Sequence, residues 1–184
     1  EIFSPIEMPA NAAERVYEQV PDNKEPIITI AKDKEQPSTM IYIWHKHPAT
    51  PNEAKGNIGY LVQNYIFSMI AKMLNARLDE LRQNANPPYI MAVTEDTDFL
   101  LAKTTQAFAG IAVSKEDGIP TAISALVREI ERARKHGFTA SEYARAKAEY
   151  LRMLESAYNE RDKMKNNQYV QEYIRHFIDN EPIP

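Results

Sequence analysis

An arginine and a tyrosine held close together can act on a peptide carbonyl. Arg82 and Tyr89 stand with six residues between them in the run NARLDELRQNANPPY, residues 75–89. A guanidinium is a planar, permanently charged donor fork, and a phenol is a rigid neutral donor. Together they could grip a substrate carbonyl or stabilise a tetrahedral oxyanion. Each also has a structural explanation. Arg near a helix C-terminus suits the helix dipole, and Tyr commonly opens a strand. On chemistry alone the structural explanation is the stronger one.

Other reactive constellations are weaker. The four histidines are His45, His47, His136 and His176. A zinc hydrolase needs three protein ligands that converge on one ion. His45 and His47 share one side of a strand end with no third ligand in view. His136 suits a helix C-terminus and His176 a polar helix face. Neither H-x-x-E-H nor its inverted counterpart occurs. None of the seven serines lies in a G-x-S-x-G context, there is no cysteine, and the five glycines form no phosphate loop. Glu95, Asp96 and Asp98 read as a solvated turn between strands. The run EIERARK from Glu129 to Lys135 reads as a solvent face with pairs such as Glu131 to Lys135.

The elements that must position these residues follow from periodicity. Ile27–Ile30 is β-branched and predicts a strand. Thr39–His45 alternates, with Met40, Tyr42 and Trp44 on one face, and predicts a second. Thr50-Pro51-Asn52-Glu53 reads as a capping box with Pro at the first helical position, although Gly56 and Gly59 weaken the first turns. From Ile58 a stripe through Leu61, Val62, Tyr65, Ile66, Met69, Met73, Leu74, Leu78 and Leu81 predicts a long helix that ends near Arg82. The chain then breaks over Asn84, Asn86, Pro87 and Pro88. Strands are expected over Tyr89–Val93 and within Phe99–Val113, the second small-faced through Ala107, Ala109 and Ala112. Pro120 opens another helix, striped by Ile123, Leu126, Val127 and Ile130, with Gly137 as its C-terminal cap. Thr139 with Glu142 forms a capping box, and Phe138 with Tyr143 a staple, for a third helix buried through Tyr143, Ala146, Tyr150, Leu151, Leu154 and Tyr158. A fourth helix is expected over about Met164–Ile178. The order β-β-α-β-β-α-α-α predicts an α+β domain, an antiparallel or mixed sheet packed on one face by long helices.

The 184 residues suit one domain with a sizeable core. Residues 1–26, with Pro5, Pro9, Pro21 and Pro26, read as an inter-domain linker that precedes a single domain over 27–184. Both ends look like cuts from a longer protein. A net charge of −4 argues against a broad nucleic-acid footprint. No apolar run approaches the length of a membrane span, and the N-terminal residues do not form a signal peptide. The absence of cysteine excludes thiolate chemistry and assigns no compartment.

Four phrases carry a resemblance over about Pro26–Pro184. They are the helix ending MLNARLDELRQ, the Pro-Pro-Tyr lead into a strand, the run ARKHGFTASEYARAKAEYL, and the closing HFIDNEPIP. In order and spacing the chain resembles a non-catalytic domain of the pitrilysin/insulinase family of zinc metallopeptidases, the inverzincins. The resemblance implies repeated α+β domains that form a clamshell around unfolded peptide. It implies that zinc is held by H-x-x-E-H and a distant Glu in a catalytic sister domain of the same chain, with no cofactor in this one. In such enzymes a non-catalytic domain lends an Arg and a Tyr to the substrate backbone, and Arg82 and Tyr89 match that pair in spacing. The implied partners are the catalytic sister domain and a peptide substrate, and the implied setting is an exported, periplasmic one. The chain is expected to be inactive alone. A purely structural or assembly domain is the alternative, and an unrelated binding module of helices on a sheet is a third.

Overall fold

Alternating β-branched and small residues build the sheet. The structure, a computed structural model, describes residues 5–7, 10, 11, 13, 14 and 16–183. Ser4, Pro9, Pro184 and part of the 1–26 stretch lie outside the described residues. Strands β1 (Thr39–Pro48), β2 (Met91–Asp98) and β3 (Thr105–Ser114) form a three-stranded antiparallel sheet in the order β1-β3-β2. The register sets Ile41 opposite Ala112 on one side, and Ala92 opposite Ala112 on the other. Directly opposed residues share a face, so Ile41, Ile43, Ala92 and Ala112 all point to the same side. That side meets Leu78 and Leu81 of α1 (Ile58–Arg82) and Ala122, Leu126 and Ile130 of α2 (Ile119–His136). Met40, Tyr42 and Trp44 share the opposite face, as their alternation predicts. There Tyr42 and Trp44 stack at 5.9 Å and Phe99 meets Trp44 edge-on.

Helix α3 (Ala140–Asn159) lies on the middle of α1, where Ala146 packs with Met69 and Met73. Helix α4 (Asn166–Asp179) follows a short 3-10 turn, Arg161–Lys163. Polar contacts tie its C-terminal end to the sheet's end. Asn52 Nδ2 donates to the Asp179 carbonyl at 2.5 Å, Lys103 pairs with Asp179 at 3.1 Å, and Lys55 pairs with Glu181. The result is α+β, with the helices on one face of an antiparallel sheet.

Several local expectations need correction. Ile27–Ile30 forms no strand, and Ile27, Ile28 and Ile30 are all about four-fifths exposed. Propensity without a pairing partner does not make a strand, because strand stability comes from cross-strand contacts. The box at Thr50 does not start α1. Pro51 precedes only a 3-10 turn, Asn52–Ala54, with no side-chain cap, and Asn57 caps α1 by accepting from the Tyr60 amide at 3.0 Å. Glu95, Asp96 and Asp98 lie within β2, and the connection to β3 runs through 99–104. Glu129 is buried rather than on a solvent face. Of the residues expected to bury α3, only Ala146 is buried, and Leu151, Leu154 and Tyr158 are exposed.

Candidate functional site

The Arg82…Tyr89 segment begins where α1 runs out of carbonyl partners. Gln83 caps the helix, its amide turned back to Asp79 and Glu80 at 3.1 and 3.2 Å. On this last turn Arg82 Nε donates to Asp79 Oδ1 at 2.8 Å, and Gln83 Nε2 donates to Asp79 Oδ2 at 2.6 Å. The Arg82 hydrogen bond, then that of Gln83, holds the Asp79 carboxyl below its ordinary range. Arg82 stays about half exposed, so a ligand can reach its remaining donors.

Tyr89 goes the other way. After Pro87 and Pro88 the chain turns inward and the Ile90 amide joins β3 by donating to the Val113 carbonyl at 2.9 Å. The Tyr89 ring is fully buried among Leu78, Leu126 and Ala112. Its hydroxyl donates to the Leu78 carbonyl at 2.8 Å. Burial, followed by the charges of Glu129 and Asp79, pushes the phenol up to about 12. The two residues flank one helix end, one open to solvent and one locked beneath it. The phenol therefore pins the start of the β2 segment to the last turns of α1.

Two further anchors hold that helix, and periodicity did not reveal either. Asn75 reads the edge of β2: its Nδ2 donates to the Thr94 carbonyl at 3.0 Å, and its Oδ1 accepts from the Thr94 amide at 2.6 Å and hydroxyl at 2.9 Å. Arg77 is buried. Its Nε donates to Glu142 Oε1 at 2.5 Å, and one terminal nitrogen donates to Glu142 Oε2 and to the Gly137 carbonyl, both at 3.0 Å. Its guanidinium lies 4.6 Å above the Phe138 ring. Glu142 also completes the capping box predicted for α3, accepting from the Thr139 amide at 2.7 Å. The Arg77 hydrogen bond is the largest influence that lowers the Glu142 carboxyl to about 2. Gly137 caps α2 at φ +65°, as its position predicts. The sequence signal for Arg77 was a charged residue inside an apolar stripe, beside Leu74 and Leu78.

The histidines do not converge. His47 Nε2 sits 3.1 Å from Asp96 Oδ2, its ring tilted 6.1 Å from Phe67. His45 is exposed, His136 ends α2, and His176 Nδ1 contacts the Glu181 carbonyl at 2.7 Å. Among the described residues no group of three or more His, Cys, Asp or Glu is placed to hold a metal ion, so these side chains do not fit a zinc site. Among the described residues no helix is long and apolar enough to cross a membrane.

Comparison with known proteins agrees with this architecture. No family model matches the chain. It is 24% identical over 164 residues to a "Zinc protease PQQL-like" protein of Arabidopsis thaliana, across 89% of this chain and 14% of that protein. In structure it is similar to the first half of the periplasmic protease PqqL from Escherichia coli, with a TM-score of 0.70 at 20% identity, over 82% of this chain and 31% of that one. Against the structure of the E. coli protease PqqL the TM-score is 0.68 at 20% identity, over 83% of this chain and 16% of that one. The chain is a distant homologue of PqqL-like zinc protease domains of the pitrilysin family. It spans less than a third of the length of each of these relatives.

Proposed function

We propose that this chain is a non-catalytic domain of a multidomain zinc metallopeptidase and forms part of the wall of its peptide chamber. The carrying observation is the likeness to part of a zinc protease in a sequence that lacks H-x-x-E-H. In this reading the zinc and the general base belong to a sister domain, residues 27–184 act as one module, and 1–26 is the linker that leads into it. The periplasmic setting of PqqL supports an exported location.

Two features suit a peptide. The outer edge of β1 carries no strand partner among the described residues, whereas Asn75 occupies that of β2, and an extended peptide can add to a free edge through backbone hydrogen bonds. Arg82 offers a charged fork at the helix end that the loop over 84–88 leaves open. Of the proposed pair, Arg82 is the member that meets substrate. Tyr89 acts as a positioning residue, since its hydroxyl already serves the Leu78 carbonyl. Direct contact of Tyr89 with substrate would require that hydroxyl to leave the core.

The test is Arg82→Ala in the full-length enzyme. Loss of a transition-state donor lowers kcat/KM by roughly 10- to 1000-fold with an unchanged melting temperature. Tyr89→Phe, if it only positions, lowers stability and activity together, with a larger effect on KM than on kcat. The second reading, a structural domain with no substrate contact, is favoured by the Arg82–Asp79 pair and by the burial of Tyr89. Full activity in the Arg82→Ala enzyme selects it.

A further inference from the structure

Residues 17–21 cross the end of the sheet as an irregular run, with no helix or strand of their own. Two of their carbonyls, three residues apart, are hooked by side chains of the sheet. Thr104 Oγ1, just before β3, donates to the Glu18 carbonyl at 2.9 Å, and Lys46 Nζ of β1 donates to the Pro21 carbonyl at 2.5 Å. Lys46 Nζ also lies 5.8 Å from the centre of the Phe99 ring, which helps to fix where that hook stands. Both hydrogen bonds lie at the surface, and among the described residues no amide of 17–20 donates one, so the run is seated lightly. Tyr17 and Gln19 line a cavity of about 420 Å³. Its other walls are braced without them. Asn52 holds the Asp179 carbonyl, Lys103 pairs with the Asp179 carboxylate and Lys55 pairs with Glu181, and all five residues line the same cavity.

We infer that this end of the sheet is a binding site for an extended, proline-containing peptide, and that residues 17–21 are its resident occupant, a strap that a second peptide can replace. The spacing of the hooked carbonyls selects the peptide's form. In polyproline II, with three residues per turn, the carbonyls of residues i and i+3 face the same way, whereas in a flat strand they face opposite ways. Pro21 biases Val20 toward the same form. Such a segment has no internal hydrogen bonds, so its carbonyls are free for side-chain donors. The ion pairs around the cavity join stretches far apart in the chain, and they keep the site formed when the strap leaves. Both hooks and the cavity belong to this chain, so the site is independent of any place in a peptidase.

A tethered segment competes at an effective concentration of about millimolar, so the test weakens the strap and leaves the hooks intact. The full chain carrying Tyr17→Gly, Val20→Gly and Pro21→Gly is titrated with the acetylated peptide VYEQVPDNK, the sequence of residues 16–24, beside the parent chain. Binding is read from the emission of Trp44, the one tryptophan, which meets Phe99 edge-on, and from the amide shifts of Lys46 and Thr104. Saturable binding to the glycine-substituted chain is expected, with binding to the parent weaker by roughly tenfold or more. Adding Lys46→Met and Thr104→Val to the glycine-substituted chain should abolish binding, whereas adding Thr104→Ser alone, which keeps the hydroxyl, should retain it. In the parent background the same two hook substitutions should speed tryptic cleavage after Lys24, a readout that needs no added peptide. A glycine-substituted chain that binds no peptide, equal binding by the parent, or binding that survives the loss of both hooks would overturn the proposal.

Discussion

The two ends of α1 live in different surroundings. Toward its C-terminus Leu74 and Leu78 are buried to within 1% of completeness, under the sheet and α2. Toward its N-terminus Ile58, Leu61, Val62 and Ile66 are 47–79% exposed. The apolar stripe is continuous across both. The same division separates α2, whose Leu126 is fully buried, from α4, whose Phe177 is 86% exposed. A stripe reports that a face needs cover, and the rest of the chain decides whether it receives any. Ile58, Leu61, Val62 and Ile66 therefore form an apolar face at helical spacing that the described residues leave open.

The contrast can be broken most directly by truncation. Leu126→Ala should destabilise the chain by about 3–5 kcal/mol, and Leu61→Ala by less than about 0.5 kcal/mol, in urea unfolding. Comparable losses at both sites would mean that the exposed half is packed in solution. Next, Arg77→Ala strands Glu142 and should cost about 2–3 kcal/mol, below a wholly buried pair because Glu142 keeps some solvent. The pair also sets a pH dependence. The Glu142 carboxyl is lowered in the folded chain from 4.5 to about 2, so its stabilisation is complete above pH 4.5 and is lost as pH falls toward 2. Unfolding midpoints followed from pH 6 to pH 2 should show this slope in the parent chain and a shallower one in Arg77→Ala. Gly137→Ala places a Cβ at φ +65° and should cost about 1 kcal/mol. Arg82→Ala should be smallest, below about 0.5 kcal/mol, because its pair with Asp79 is an exposed i,i+3 contact.

Helix starts and ends were legible where a side chain closes its own turn. Thr139, Glu142 and Gly137 needed only their neighbours, and their geometry is as the sequence predicts. The α+β class followed from the order of the long elements. What stayed hidden depends on partners far along the chain. Ile27–Ile30 has strand chemistry and no ladder to join, whereas β2 extends through acidic residues because β3 lies beside it. In the site, Arg82 and Tyr89 could be singled out by type and spacing. That one faces water and the other the Leu78 carbonyl depends on how the Pro87-Pro88 turn re-enters the fold. Glu129 belongs to a charge-rich run, and its burial follows from its place three residues after Leu126, on the face of α2 that packs on the sheet.

The small side chains of β3 have one more effect. A methyl added at Gly110 would come within 3.1 Å of Ile130 Cδ1 and 3.3 Å of Leu126 Cδ2. With Ala112 beside it, the central strand works as a thin shim whose thickness sets how deeply α2 can sink toward the sheet. Any thickening there would lift α2 and unseat Leu126 and Ile130 from the strand beneath them.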